Sequence, residues 1–204
     1  MHVSNINLLT DEDEIFDFIT KFSFATIVTA RDNRPTATHL PFVVSKRGDK
    51  TILTSHFGKA NTQWQELLDH EVLVIFTEPH AYISPANYEK ELNVPTWNYI
   101  SVHTYGKATL LQETDQAFKV LENTITNYEA GYLEQWNNLP QDYKVKMLKG
   151  IVAFEIEVTT FQGSKKLSQN KTEAEKKKII ETLTASPSEV ERQIADYMKK
   201  EDNG

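Results

Sequence analysis

Between Phe24 and His56 the chain consists of three short strand-like stretches separated by only two turn clusters, a pattern that leaves few folds open. Phe24-Ala25-Thr26-Ile27-Val28-Thr29-Ala30 is rich in β-branched residues and stops at Arg31-Asp32-Asn33-Arg34, a turn-forming cluster. Pro35 to Val44 resumes as a strand, Lys46-Arg47-Gly48-Asp49 turns it, and Thr51 to His56 makes a third. Two successive hairpins with short turns specify an antiparallel meander.

Before the meander, Asp11 to Lys21 predicts a helix. Thr10 stands at the N-cap, acidic residues fill the first turn, and Ile15, Phe16, Phe18 and Ile19 recur at helical spacing. After it, Asn61 to Leu68 reads as a short helix and Val72 to Phe76 as a strand buried on both faces. Glu78 to Trp97 contains Pro79, Pro85 and Pro95, which predicts an ordered loop with at most one helical turn. Asn98 to Leu111 is a long strand, Asp115 to Tyr128 and Gln141 to Lys149 are helical, and Ile151 to Thr159 is a last strand. Six strands with helices inserted late predict a mainly β fold, a small closed or nearly closed antiparallel barrel, since a flat sheet would leave edges open to aggregation. The barrel domain is expected over residues 1–164. Residues 165–204 are Lys- and Glu-rich and predict a helical extension packed on the barrel or on a partner chain. Its two apolar stripes, Ile179, Ile180 and Leu183 and then Val190, Ile194, Tyr197 and Met198, flank a break at Ser186-Pro187-Ser188.

Composition narrows the chemistry. The 204 residues are 39% hydrophobic and 25% charged, ordinary globular values. No Cys is present, which removes disulfides, thiolate metal sites and Cys nucleophiles. The amino-terminal MHVSNINLLTDEDE has no basic stretch followed by an apolar one, and no run approaches the ~18 apolar residues of a membrane span, so a cytoplasmic protein is expected. The net charge of −7 disfavours a polyanionic partner except at a local basic patch.

None of the seven glycines forms GxGxxG or GxxxxGK[ST], and HExxH and GxSxG are missing. His39, His56, His80 and His103 lie in or near strands without ligand spacing, so they read as hydrogen-bonded residues and no metal is expected. Three clusters stand out. Thr38-His39-Leu40-Pro41-Phe42 lies in the second strand, and Thr54 to Trp64 runs from a strand into a helix. Pro79-His80-Ala81-Tyr82-Ile83-Ser84-Pro85 is followed by Pro95-Thr96-Trp97-Asn98-Tyr99-Ile100. Hydroxyls, Lys59 and the free N–H groups of a helix start make the second cluster a candidate phosphate site. Aromatic residues and Asn98 in the third could cover a planar ring. The plain alternative is a capped helix and a buried aromatic loop.

The segments ATHLPF (Ala37 to Phe42), HFGKANTQW (His56 to Trp64), PHAYISPANY (Pro79 to Tyr88), VPTWNYISVHTYG (Val94 to Gly106) and KKLSQN (Lys165 to Asn170) resemble, in the same order, motifs of the PaiB family of FMN-binding negative transcriptional regulators. The resemblance implies an FMN-binding split β-barrel with the flavin at a dimer interface. Carried over by position, Thr38, His39 and Leu40 would line one side of the flavin. Thr54, Ser55, His56, Lys59 and Asn61 would hold the ribityl chain and phosphate. A second copy would supply Trp97, Asn98, Ser168 and Gln169. Related flavin barrels place adjacent Arg-Lys cations at the phosphate, whereas Gly58-Lys59-Ala60 offers one, which implies weaker retention of FMN.

For function, the resemblance implies repression of degradative-enzyme and sporulation genes, with DNA reached directly or through another protein. The residues themselves show no helix-turn-helix pattern. Their best basic stretch, Lys165 to Lys178, sets six Lys against Glu173 and Glu175 and reads first as a solvated helix face. The alternative is a flavin-dependent oxidoreductase acting on a small molecule, in which His39 or His56 would donate a proton. Haem binding in a split barrel is a third reading.

Overall fold

The computed structural model describes residues 1–68 and 70–202. In chain order the elements are β1 (Leu8–Leu9), α1 (Glu12–Lys21), β2 (Phe24–Arg31), β3 (Arg34–Pro41), β4 (Val43–Arg47), β5 (Lys50–Gly58), β6 (Val72–Phe76), β7 (His80–Ile83) and β8 (Thr96–Leu110). They continue as α2 (Thr114–Glu129), α3 (Leu133–Asn138), α4 (Gln141–Leu148), β9 (Ile151–Lys166), α5 (Glu173–Thr184) and α6 (Glu189–Asp202). Two compact units result. The larger comprises Glu12–Phe76 and His103–Phe161; the smaller comprises Met1–Asp11, Thr77–Val102 and the chain from Gln162 on.

The larger unit contains the two expected hairpins, β2–β3 and β4–β5, but they stand at opposite ends of the strand order and do not form one continuous meander. β2 and β3 pair antiparallel out to Arg31↔Arg34, leaving Asp32 and Asn33 as a two-residue turn with φ of 51° and 59°. Asp and Asn tolerate that left-handed region better than other side chains, and the turn matches strand twist. The Pro35 to Val44 stretch is interrupted at Phe42, which separates β3 from β4. Phe42 N–H donates to Ser23 O at 2.8 Å and its side chain is fully buried, so the break turns one ring into the core. That ring meets Phe76 and Phe154 with centroids 6.2 and 6.3 Å away, and Phe57 stacks on Phe154 at 5.1 Å.

The sheet runs in the order β3-β2-β6-β8-β9-β5-β4. Its ends approach where Ser55 Oγ donates to Pro41 O at 2.7 Å, bringing β5 beside the end of β3. The last strand extends well past Thr159 to Lys166, and β1 and β7 add to the sheet, so among the described residues nine strands replace the expected six.

In the smaller unit, β7 occupies part of the stretch expected to be a loop. The prolines bound this strand without interrupting it: Pro79 precedes it, Pro85 opens the turn after it, and Pro95 precedes β8. The pairing His80↔Tyr99, Ala81↔Asn98 and Tyr82↔Trp97 buries Ala81, Asn98 and Ile100 and leaves Tyr82 and Trp97 about half exposed. α5 starts at a capping box, Thr172 with Glu175, and Ile179, Leu183, Ile194, Ala195 and Met198 of α5 and α6 are buried.

Candidate functional site

The expected phosphate loop is fastened to β3 through a glutamine. Gln63, 1% exposed, sits in the 3-10 turn Thr62–Glu66. Its Oε1 accepts from Thr38 Oγ1 at 2.6 Å, and its Nε2 donates to Thr36 O at 3.0 Å, Thr29 Oγ1 at 3.2 Å and Ile27 O at 3.3 Å. Asn61 caps the turn by accepting from Gln63 N–H, and its Nδ2 donates to Thr38 Oγ1 at 2.9 Å. Thr29 Oγ1 in turn donates to Glu66 at 2.6 Å. Thr38 and Asn61 are thus brought together, and both are spent on holding the loop in place.

Lys59 lies on that loop. Its N–H donates to Gly150 O at 2.8 Å and its carbonyl accepts from Trp64 Nε1 at 3.3 Å, so the backbone is held on both sides. The side chain is exposed and, among the described residues, has no ion-pair partner. Lys59, Trp64 and Lys149 border a cavity of about 360 Å³ whose other walls are largely aliphatic, with Leu110, Leu148, Val145 and Ile151. Lys149 is a second cation that no spacing in the sequence connects with Lys59.

Along β5, Thr54 and His56 are half-buried on one face while Ser55 and Phe57 point inward, and Ser55 is committed to Pro41 O. Thr54 borders a separate polar cavity with Arg47, Lys119 and Glu155. Burial holds the His56 imidazole below its ordinary value and favours the neutral form. On β3, His39 is exposed, its Nδ1 is 2.8 Å from Thr26 Oγ1, and its ring lies 6.3 Å from the exposed Phe24. Leu40 is half-buried.

The remaining expected residues form their own cluster in the smaller unit. Ser168 Oγ donates to Asn98 Oδ1 at 3.0 Å and both are buried; Asn98 Nδ2 contacts Met198 Sδ at 3.5 Å. Gln169 closes a local loop, accepting from Leu167 N–H and donating to Lys165 O, with Ser168 at φ 62°. Trp97 stands on the surface between His80 (5.4 Å) and Tyr82 (6.1 Å).

The basic stretch is broken up by the fold. Lys165 pairs with Glu201, Lys176 pairs with Glu173, Lys166 donates to Thr96, and Lys171 covers the Tyr88 ring. Among the described residues no group of three or more His, Asp or Glu could hold a metal ion. Sequence reasoning missed Gln63 and Lys149; a Gln two residues after an N-cap Asn was the available signal for the first, and Lys149 had none.

Residues 1–160 match the family model described as "Putative FMN-binding domain". The chain is 39% identical over 202 residues to the "Protease synthase and sporulation protein PAI 2" of Bacillus subtilis (strain 168), across 98% of this chain and 97% of that one. Two solved structures share the fold. They are the flavocytochrome Anf3 from Azotobacter vinelandii, with TM-score 0.63 and 14% identity over 81% of this chain and 72% of that chain, and the FAD and heme binding protein from Mycobacterium smegmatis, with TM-score 0.61 and 16% identity over 78% and 73%. The nine-stranded antiparallel sheet is therefore a split β-barrel, and the chain belongs to the PaiB family of FMN-binding proteins, with FMN as the family's cofactor.

Proposed function

We propose that the chain acts as a homodimeric, cytoplasmic flavin protein with a regulatory role, and that Lys59 holds the FMN phosphate. The observation that carries this reading is the state of Lys59: a backbone fixed from both sides, and an ammonium with no carboxylate partner among the described residues, facing a cavity that also meets Lys149. Two cations at one cavity suit a phosphate monoester, and Lys149 supplies from α4's end the second charge that Gly58-Lys59-Ala60 lacks. The donor set therefore fits the group. Thr38 and Asn61 position the loop, His39 and Leu40 offer the outer face of β3 to the flavin, and Thr54 and His56 offer that of β5. The exposed Tyr82–Trp97 pair, with the buried Asn98–Ser168 pair and Gln169 behind it, would come from the second copy.

When bound, FMN exchanges electrons with a reductant and an acceptor. His56, held toward its neutral form by burial, is suited to accept a proton, and His39 stands exposed on β3; these two residues favour flavin oxidoreductase activity as the second reading. The regulatory role is supported by the Bacillus relative, whose name connects it with protease synthesis and sporulation. Since four of six Lys between 165 and 178 are engaged within the fold, we read DNA as reached through another protein. Among the described residues no helix is long and apolar enough to cross a membrane, which agrees with the location proposed. The test is paired titration: Lys59→Ala should weaken FMN by roughly ten- to a hundredfold and riboflavin little, because a charge-assisted bond contributes about 1.5–3 kcal/mol. Equal losses for both ligands would move the phosphate elsewhere.

A further inference from the structure

The smaller unit contains a cavity of about 330 Å³ bordered by Tyr88, Asn93, Thr96, Lys166, Asn170 and Lys171. Lys166 and Lys171 are both half-buried, and among the described residues neither has a carboxylate within ion-pair distance. Each ammonium leans on a neutral oxygen instead: Lys166 on Thr96 Oγ1, and Lys171 on Asn93 Oδ1 at 3.3 Å. Lys171 also sits 3.6 Å above the centre of the Tyr88 ring. Glu175 acts on Lys171 electrostatically, but its oxygens are taken by the N–H groups of Glu89 and Thr172. In a chain of net charge −7, two lysines at one cavity with no carboxylate within ion-pair distance among the described residues stand out. Partly burying an ammonium without an ion-pair partner carries a desolvation cost, and a bound anion lowers it.

A second observation comes from the same wall. Tyr88 is 7% exposed and its hydroxyl, buried, finds no hydrogen-bond partner among the described residues. Buried polar groups in native folds are nearly always paired, so an unmet hydroxyl beside two cations signals a missing acceptor.

We propose that this cavity is a second site, separate from the flavin, that binds a small oxyanion, a carboxylate or phosphate group, between Lys166 and Lys171. The cavity's size admits a small organic anion. Ser168 and Gln169 also border it. The resemblance assigned those two residues to the flavin, so the flavin's own phosphate is the rival occupant. Their side chains are already consumed by Asn98, Leu167 and Lys165, which leaves the lysines as the binding groups.

The experiment titrates inorganic phosphate into the full chain, once without flavin and once loaded with FMN, following backbone amide signals by NMR. Saturable shifts at residues 166–171 and 93–96 in both forms support the proposal. Lys166→Met and Lys171→Met should each weaken phosphate at least about tenfold, the loss expected for a charge-assisted contact, while FMN affinity measured by flavin fluorescence stays unchanged. Shifts that grow linearly without saturation in the unsubstituted protein overturn it. So do shifts seen only without flavin and reversed by FMN, which would return the cavity to the flavin. If FMN binding fails altogether while phosphate still saturates these amides, the flavin reading falls and this one stands.

Discussion

Asn61 Nδ2 lies 2.9 Å from Thr38 Oγ1, a bond between side chains 23 positions apart. It fastens the turn that follows Lys59 to the middle of β3, so two clusters that are separate in the sequence share one hydrogen-bond network. The position of Lys59 is a consequence of that network and of the two backbone bonds at Lys59 itself.

The network should be costly to interrupt. Gln63→Leu leaves the Thr38 hydroxyl without its acceptor and the Thr36 carbonyl without its side-chain donor in a buried place. A loss of about 2–4 kcal/mol in urea unfolding is expected, with weaker FMN binding because Lys59 loses its support. A stable variant with full FMN affinity would show that the loop is held by its backbone alone.

Acid should act through His56. Its folded value lies below the ordinary 6.5 because burial disfavours the imidazolium. Above the unfolded value both states are neutral and the full stability is present. As pH falls below about 6.5, the unfolded chain takes up the proton first, and stability is lost progressively down to the folded value. Urea midpoints measured across that window should fall, and His56→Gln should flatten the slope; an unchanged slope would assign the pH dependence to another group.

Self-association should run through exposed apolar groups. β3 has a single hydrogen-bonded neighbour, β2, and Phe24 is 68% exposed beside His39, an arrangement that an isolated barrel would not leave uncovered. Light scattering should report twice the 23.4 kDa chain mass at micromolar concentration. Phe24→Lys should shift the population toward monomer while far-UV circular dichroism is preserved. A monomeric unsubstituted protein would contradict this.

Direct DNA binding should be weak and indifferent to sequence. Lys165 and Lys176 are paired within the fold, and the net charge of −7 repels phosphates at distance. Anisotropy across a salt series should show whatever affinity exists falling with a log–log slope near −0.9 per phosphate contacted. Tight, selective binding to one promoter fragment at physiological salt would reverse this expectation, and charge reversal at Lys176, Lys177 and Lys178 would then be expected to abolish it.

The two hairpins between Phe24 and Gly58, the long strand to Leu110, the helices after it and the two apolar stripes of α5 and α6 were legible because each depends on local periodicity and turn chemistry. Asp32-Asn33 specifies a tight turn wherever the chain goes. What local pattern could not reveal is which strands become neighbours. β2 beside β6, and β9 between β8 and β5, follow from closing a barrel around Phe42, Phe57, Phe76 and Phe154, a packing decision spread over more than a hundred residues. Proline misled in Glu78 to Trp97 because its meaning depends on whether it falls inside a strand or at its end, and pairing with β8 settles that for β7. The site divides in the same way. Thr38, Lys59 and Asn61 could be named from residue type and order. Gln63 bonded to β3, Lys149 with Lys59 at one cavity, and Lys166 with Lys171 at another are products of tertiary folding, since shared cavities and hydrogen bonds depend on distance in space and leave no period in the chain.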